Sequence, residues 1–298
     1  MFKRVLVGVD GRSNGRDAVA LATRLIESGG TLTLAHVHSG EVGPLHARTP
    51  SLAAQEREAS QLLLEQERAA SDVEARLVSV VAASPGRGLH QQAEAEGADL
   101  LVVGSCCHGV FGRAMLGNDT RGALNGAPCA VAIAPRGYAQ SPHTIGRIGV
   151  AYNGSEESKT ALAASRELAA QTSATVHALE VVSVSSYAFA GLMAASIGDS
   201  LEMMLEEANT RMKELPEVKG RAVCGLAGEE LAAFGEEVDI LVIGSRSYGP
   251  VRRLVLGSTS DYLERHARCA LLVLPRAAQH AEISATELSG TGEWLQHQ

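Results

Sequence analysis

The chain has 298 residues, of which 45% are apolar and 20% charged, and its formal net charge is −8. This length predicts two domains, and the apolar content provides each with a core, which excludes disordered, collagen-like and coiled-coil chains. The negative charge argues against nucleic acid as a partner. No apolar run approaches the ~20 residues of a membrane span, so we expect no membrane partner.

The five cysteines and the start of the chain favour a cytoplasmic protein. The cysteine number is odd and no two cysteines form a CxxC pair. This predicts reduced thiols rather than a disulfide framework. An apolar strand pattern follows Met1-Phe2-Lys3-Arg4 directly, so the start is too short for a signal peptide.

The first half alternates strands and helices. Short apolar runs predict strands at residues 5–9, 32–37, 76–81, 100–103 and 130–134. Between them we expect helices over residues 52–72, 87–96 and 113–125, and a first helix capped by Ser13 or Asn14 and ended by Gly29-Gly30. Such alternation predicts a parallel sheet with helices on both faces.

The second half repeats the first. Residues 99–105, DLLVVGS, recur 140 residues later as residues 239–245, DILVIGS, and further matched points follow in the same order. Strands are expected at residues 147–152, 175–182, 221–224, 239–243 and 270–274. We therefore expect an α/β protein with two tandem, doubly wound domains over residues 1–140 and 146–276, and a flexible tail over 277–298.

The last strand of each half, at residues 130–134 and 270–274, is almost wholly apolar. In a five-stranded sheet such a strand lies at an edge, where an exposed apolar strand is an aggregation hazard. The economical prediction is that each half covers the other's last strand.

The candidate site lies where the strands end, because open α/β sheets bind ligands beyond the carboxyl ends of their strands. Asp10-Gly11 follows the first strand, Asn153-Gly154 follows its counterpart, and a glycine-rich loop follows the fourth strand of each half. Small residues let backbone amides approach a phosphate, and a helix N-terminus adds a favourable dipole. The Asp10 carboxylate can accept hydrogen bonds from the two hydroxyls of a ribose.

In the second half, Ser258 and Thr259 add hydroxyl donors, and Arg252 or Arg253 adds positive charge. A structural turn that needs glycine is the alternative reading of either loop alone. With the Asp or Asn of the first strand in the same crevice, a nucleotide site is favoured.

The chain lacks the complete sequence motifs of other nucleotide-binding folds and of serine hydrolases. No G-x-x-x-x-G-K-S/T run is present, and the spacing of Gly8, Gly11 and Gly15 misses G-x-G-x-x-G. Residues 245–249 resemble a nucleophile elbow but lack its first glycine.

Metal and redox sites are also disfavoured. His36, His38 and His46 suggest a metal site, but the second half has no histidines at the equivalent positions, so a structural role is favoured. Cys106-Cys107 has no cysteine counterpart in the second half, so reduced loop thiols are the simpler reading.

Taken together, these runs resemble the universal stress protein family in its tandem two-domain form. The resemblance covers residues 3–136 and 147–276 and rests on the first strand's Asp-Gly ending, the DLLVVGS run, the glycine loop, Leu-Gly-Ser and Ala-Pro-Cys. The family's most specific motif, G-x-x-G-x9-G-S/T, marks members that bind ATP.

The resemblance implies a five-stranded parallel sheet in the order 3-2-1-4-5 in each half, and pairing of the halves through their last strands. It implies that Asp10 and Asn153 meet the ribose and that Val37 and Val181 line the adenine pocket. It implies that the phosphates are held by Gly104, Gly117 and Asn118 in the first half, and by Gly244, Ser247, Gly257 and Ser258 in the second. The candidate nucleotide-binding residues that complete the set are Gly109, Gly249, Arg253 and Thr259.

Neither half matches the family motif fully. In the first half Cys107 replaces the second glycine and Asn118 the final serine, whereas in the second Ser247 and Asn153 are the departures. A side chain at a position that needs positive φ costs about 1–2 kcal/mol. The second half is slightly favoured as the nucleotide-binding half, since it keeps Gly257-Ser258 and two arginines.

Three hypotheses follow. The leading one is a stress-response regulator that binds ATP, with or without Mg²⁺, or else ADP or AMP, and that hydrolyses ATP at most slowly. The second is a nucleotide-free protein-interaction module with decayed sites. The third is an enzyme that uses Cys107 or Ser247 covalently. A homodimer is compatible with each.

Overall fold

In the computed structural model, the strands of both halves form one ten-stranded sheet. The structure describes residues 2–38, 50–105, 122–123, 125–140, 144–183, 194–245, 254 and 257–275. The strands are β1 (Phe2–Gly8), β2 (Ile26–His38), β3 (Arg76–Val81), β4 (Leu100–Gly104), β5 (Ala130–Ala134), β6 (Arg147–Ala151), β7 (Thr175–Ser183), β8 (Val218–Gly225), β9 (Ile240–Gly244) and β10 (Ala270–Leu274).

Seven α-helices lie in the described part of the chain. They are α1 (Ser13–Leu25), α2 (Pro50–Ser71), α3 (Pro85–Glu96), α4 (Glu156–Thr172), α5 (Ala194–Lys213), α6 (Ala227–Phe234) and α7 (Ser258–His266). Within these residues no helix is long and apolar enough to span a membrane.

The sheet runs β3-β2-β1-β4-β5-β10-β9-β6-β7-β8. Pairing within each half is parallel, in the predicted order 3-2-1-4-5, so the expected doubly wound α/β fold is confirmed in both halves. β5 and β10 pair antiparallel and join the halves. The strand order reverses between β1 and β4 and again between β6 and β9, which creates the crevice typical of ligand sites.

Both faces of the sheet are buried, which explains the continuous apolar runs. In β1, Val5 and Val7 pack with Leu21 of α1 in one cluster, whereas Leu6 packs with Leu89 of α3 in the other. Successive strand residues point to opposite faces, so a strand with helices on both sides is apolar throughout.

A repeated aspartate holds the start of the first strand in each half. Asp99 accepts hydrogen bonds from the backbone amides of Lys3 and Arg4 at 2.9 and 3.0 Å. Asp239 does the same for Gly146 and Arg147, at 2.8 Å each. The duplicated DLLVVGS run therefore begins with a residue that fixes strand pairing.

The connection between the halves is held by a buried side chain of α1. Asp17 is 2% exposed, and its two carboxylate oxygens accept from the amides of Gly137 and Ala139 at 2.9 and 2.8 Å. Tyr138, between them, is buried. The predicted polar linker therefore begins with a segment docked on the first half.

The structure corrects both predicted ends of α1. Arg12, not Ser13 or Asn14, is the N-cap, and the helix ends at Leu25 rather than at Gly29-Gly30. Ile26 already pairs with Phe2, and the ladder register shifts between Phe2 and Arg4. Gly29, with φ of 82°, lies in this irregular part of β2, so its conformational freedom serves a bulge and not a helix end. The helix predicted over residues 113–125 lies mostly outside the described residues.

Candidate functional site

The two halves share the same turn after their first strand. Asp10 Oδ1 accepts from the amide of Arg12 at 3.1 Å, and Asn153 Oδ1 accepts from the amide of Ser155 at 3.2 Å. Gly11 and Gly154 have φ of 76° and 78°, the left-handed conformation that glycine adopts readily. An Asp and an Asn make this turn equally well, because each uses one side-chain oxygen. What differs is the charge beside the crevice.

In the first half, the ends of β1, β2 and β4 and the start of α3 surround a crevice. It is lined by Gly8, Val9, Asp10, Asn14, Gly15, Ala35, His36, Val37, Pro85, Leu89, Val103 and Gly104. The structure thus brings together three residues that the sequence selected, namely Asp10, Val37 and Gly104. The wall of the crevice is largely apolar, and Asp10 supplies a carboxylate to its lining.

The glycine at the end of the fourth strand is explained by helix packing. A Cβ on Gly104 would lie 2.1 Å from the backbone oxygen of Asn14 in α1. A Cβ on Gly244 would lie 2.5 Å from the backbone oxygen of Glu157 in α4. The helix after the first strand approaches the end of the fourth so closely that only glycine fits, whether or not a phosphate binds there.

The two valines expected at the adenine pocket occupy matching strand positions. Val37 pairs with Val80 in the ladder, and Val181 pairs with Val223. Both valines are half-buried. A Cβ on Gly88 of α3 would lie 2.7 Å from Val37 Cγ1, so α3 closes tightly on this wall of the crevice.

Gly257, Ser258 and Thr259 form the N-terminus of α7. Gly257 is the N-cap residue, with φ of −84°, and a Cβ there would meet no atom within 4 Å. Ser258 is exposed. First-turn amides carry a partial positive charge and suit an anion.

The other predicted nucleotide-binding residues lie outside the described residues. They are Gly109, Gly117, Asn118, Ser247, Gly249 and Arg253. The same holds for Cys107, the other candidate nucleophile, and for the predicted tail over residues 277–298.

The histidines of β2 have structural partners. His36 Nδ1 donates to the backbone oxygen of Val9 at 2.9 Å, and His38 Nε2 lies 3.0 Å from Ser79 Oγ. Among the residues that the structure describes, no group of three or more His, Cys, Asp or Glu side chains could hold a metal ion. His46 lies outside them.

Sequence reasoning missed an ion pair at the second-half turn. Glu180 of β7 is 7% exposed and accepts from Arg211 of α5, from Nε at 3.1 Å and from Nη2 at 3.0 Å. The hydrogen bond to Glu180 is the main cause that raises the pKa of Arg211. A Cβ on Gly154 would lie 3.4 Å from Arg211 Cδ, so the guanidinium stem covers the turn. The partners are 31 residues apart, and no sequence motif links them.

A buried carboxyl lies close to the first-half turn. Glu67 of α2 is 5% exposed, with Oε1 3.9 Å from Arg16 Nε. Burial is the largest cause that raises the pKa of Glu67; Arg16 lowers it, and the negative charge of Asp10 adds to the increase. Asp10 therefore faces another acid in the first half.

Comparison with known proteins gives consistent results. A family model described as the universal stress protein family matches residues 1–135 and 144–275. A universal stress protein of Mycobacterium tuberculosis is 27% identical over 203 residues, covering 64% of this chain and 69% of that protein.

One solved structure that spans almost the whole chain shows the likeness of the fold. The crystal structure of a universal stress protein from Archaeoglobus fulgidus is 18% identical, has a TM-score of 0.64 and covers 92% of this chain and 98% of its own. A universal stress protein solved in complex with cAMP is 23% identical, covers 45% of this chain and 98% of its own, and has a TM-score of 0.35.

Proposed function

The chain belongs to the universal stress protein family, and from this premise we propose that it binds an adenine nucleotide, ATP first of all, at the carboxyl ends of its strands. The observation that carries the proposal is the first-half crevice, where Asp10, Val37 and Gly104 meet. An apolar wall suits an adenine ring, and a carboxylate beside it suits the hydroxyls of a ribose.

The second half supports a nucleotide by a different set of groups. It keeps the turn at Asn153 and the α7 N-terminus at Gly257. ATP, ADP and AMP share the adenosine that these groups would bind, and Mg²⁺ would accompany the polyphosphates.

We further propose that the nucleotide acts as an effector in a cytoplasmic stress-response regulator, with at most slow hydrolysis. A ligand of this kind shifts the protein toward the conformation or the partner that it favours. The proposed domains are residues 1–140 and 146–276, joined through β5 and β10, and two chains would associate as a homodimer.

A nucleotide-free interaction module is the second candidate. The observation that favours it is the packing of Gly104 and Gly244 against α1 and α4, which accounts for both glycines without a phosphate. The loss of charge at Asn153 points the same way.

A reciprocal exchange of the turn residues separates the two candidates. Asp10→Asn and Asn153→Asp each keep the oxygen that makes the turn and change only the charge, so folding should be unaffected. If the Asp10 carboxylate accepts hydrogen bonds from the ribose hydroxyls, Asp10→Asn should weaken ATP binding to the first half about tenfold, as measured by titration calorimetry. No ATP binding to the wild type would favour the interaction module, whereas ATP binding that is unaltered in both variants would show that Asp10 and Asn153 do not contact the ribose.

A further inference from the structure

The two halves carry different charged groups at the same place in the fold. In the first, the Asp10 turn is covered by Leu63, since a Cβ on Gly11 would lie 2.9 Å from Leu63 Cδ1. In the second, the turn residue is the neutral Asn153, and Arg211 takes the covering position, 3.4 Å from the same point on Gly154. A carboxylate beside an apolar cover has been exchanged for an amide beside a guanidinium.

Arg211 is held in place by the strand that borders the site. The backbone amide of Tyr152 donates to the backbone oxygen of Leu179 at 3.0 Å, as the amide of Val9 does to the oxygen of Ala35 at 2.9 Å. Leu179 therefore corresponds to Ala35, and the next residue, Glu180, corresponds to His36. His36 lines the first-half crevice. Arg211 donates to the Glu180 carboxylate through Nε and Nη2, which leaves both hydrogens of Nη1 outside the pair.

This exchange has a defined chemical meaning. In dinucleotide-binding folds an acid about 20 residues beyond the first glycine turn binds a ribose hydroxyl, whereas an arginine nearby accommodates a phosphate on the ribose. Asn153 uses Oδ1 for the turn, so its Nδ2 group is a donor without the repulsion that Asp10 would exert on an anion. We propose that the second half takes an adenine nucleotide that carries a phosphate on its 2′ or 3′ ribose oxygen, with Arg211 as the specificity-determining contact and Glu180 as its positioning residue.

This inference rests on the proposed nucleotide site and adds its ligand class. Glu207 lies four residues before Arg211 on the same face of α5, and its charge adds to the hydrogen bond of Glu180 in raising the pKa of Arg211. A ribose phosphate would compete with Glu207 for the guanidinium. Glu207→Gln should therefore strengthen binding of such a ligand.

The test compares adenosine 3′,5′-bisphosphate, adenosine 2′,5′-bisphosphate and 5′-AMP by titration calorimetry of the full chain. Removing Arg211 alone would leave Glu180 buried and unpaired, so the variant is the double change Glu180→Leu with Arg211→Leu. The matched control is Glu237→Leu with Arg221→Leu, which removes a second bidentate pair, at 2.9 and 2.5 Å. Arg221 pairs with Leu179 in the ladder, one position before Glu180, so this control pair lies on the other face of the sheet.

We expect one bisphosphate to bind the wild type about tenfold more tightly than 5′-AMP. The Glu180–Arg211 double variant should lose this preference and keep its affinity for 5′-AMP, whereas the Glu237–Arg221 control should keep both. Normal 5′-AMP binding without a bisphosphate preference, or a preference that survives the double variant, would overturn the inference alone. A wild type that binds none of the three would overturn the proposed function as well.

Discussion

Gly104→Ala tests the claim that helix packing fixes the end of the fourth strand. The added Cβ would lie 2.1 Å from the Asn14 backbone oxygen and 2.6 Å from its carbonyl carbon, so α1 must move away from β4. Overpacking of a close-packed interior costs about 1–3 kcal/mol, and the upper end applies because both contacts are backbone atoms. For a domain of this size, we expect a Tm lower by about 4–10 °C.

Gly257→Ala is the matched control, because a Cβ at that position meets no atom within 4 Å. Its free energy of unfolding should fall by about 1 kcal/mol at most, because alanine is a poorer N-cap than glycine but adds no clash. Both variants are compared by urea denaturation, followed by circular dichroism, and by thermal unfolding. If Gly104→Ala unfolds at the wild-type urea concentration, or if Gly257→Ala is the less stable variant, the packing argument is wrong.

Three further predictions concern buried and hydrogen-bonded groups. Burial raises the pKa of Glu67, so its proton is bound more tightly in the folded state. The stability that the protonated group contributes at low pH is therefore lost as pH rises through the folded pKa. The free energy of unfolding of Glu67→Gln, measured by urea titration, should rise relative to the wild type as pH rises, and a difference that does not change with pH would contradict this. Asp99→Ala removes the acceptor of two backbone amides and should lower the free energy of unfolding by about 1–3 kcal/mol, a loss that Asp99→Asn should partly restore. Burial raises the pKa of Cys129 and Cys269 to about 12. Both thiols should therefore resist alkylation at neutral pH until the chain unfolds. Rapid labelling of the two cysteines in the native protein would refute this prediction.

The sheet could be predicted from the sequence because its signals are local and occur twice. Buried parallel strands are apolar throughout, and the duplicated runs fix their order along each half. The ends of α1 could not be predicted from local rules. Gly29-Gly30 has the composition of a helix end, but the pairing of Ile26 with Phe2 starts the strand before those glycines are reached.

The candidate site was predicted in part. Asp10 and Asn153 were found because a polar residue directly follows each first strand, and the structure adds that both make the same turn. Glycine at Gly104 has two physical explanations, a close ligand or a close helix, and the three-dimensional contact with α1 shows that the helix alone requires it. The pairing of Arg211 with Glu180 depends on the docking of α5 against β7, which no sequence spacing encodes.

The measurement that tests the central claim most directly is the nucleotide content of the purified chain. The protein is prepared without added ligand, then denatured, and the released ATP, ADP and AMP are quantified by chromatography per mole of chain, with thermal unfolding in added ATP measured in parallel. We predict one or two adenine nucleotides per chain, or a rise in Tm with added ATP if the nucleotide is lost during purification. No released nucleotide together with an unchanged Tm at saturating ATP would contradict the proposed function and favour the interaction module.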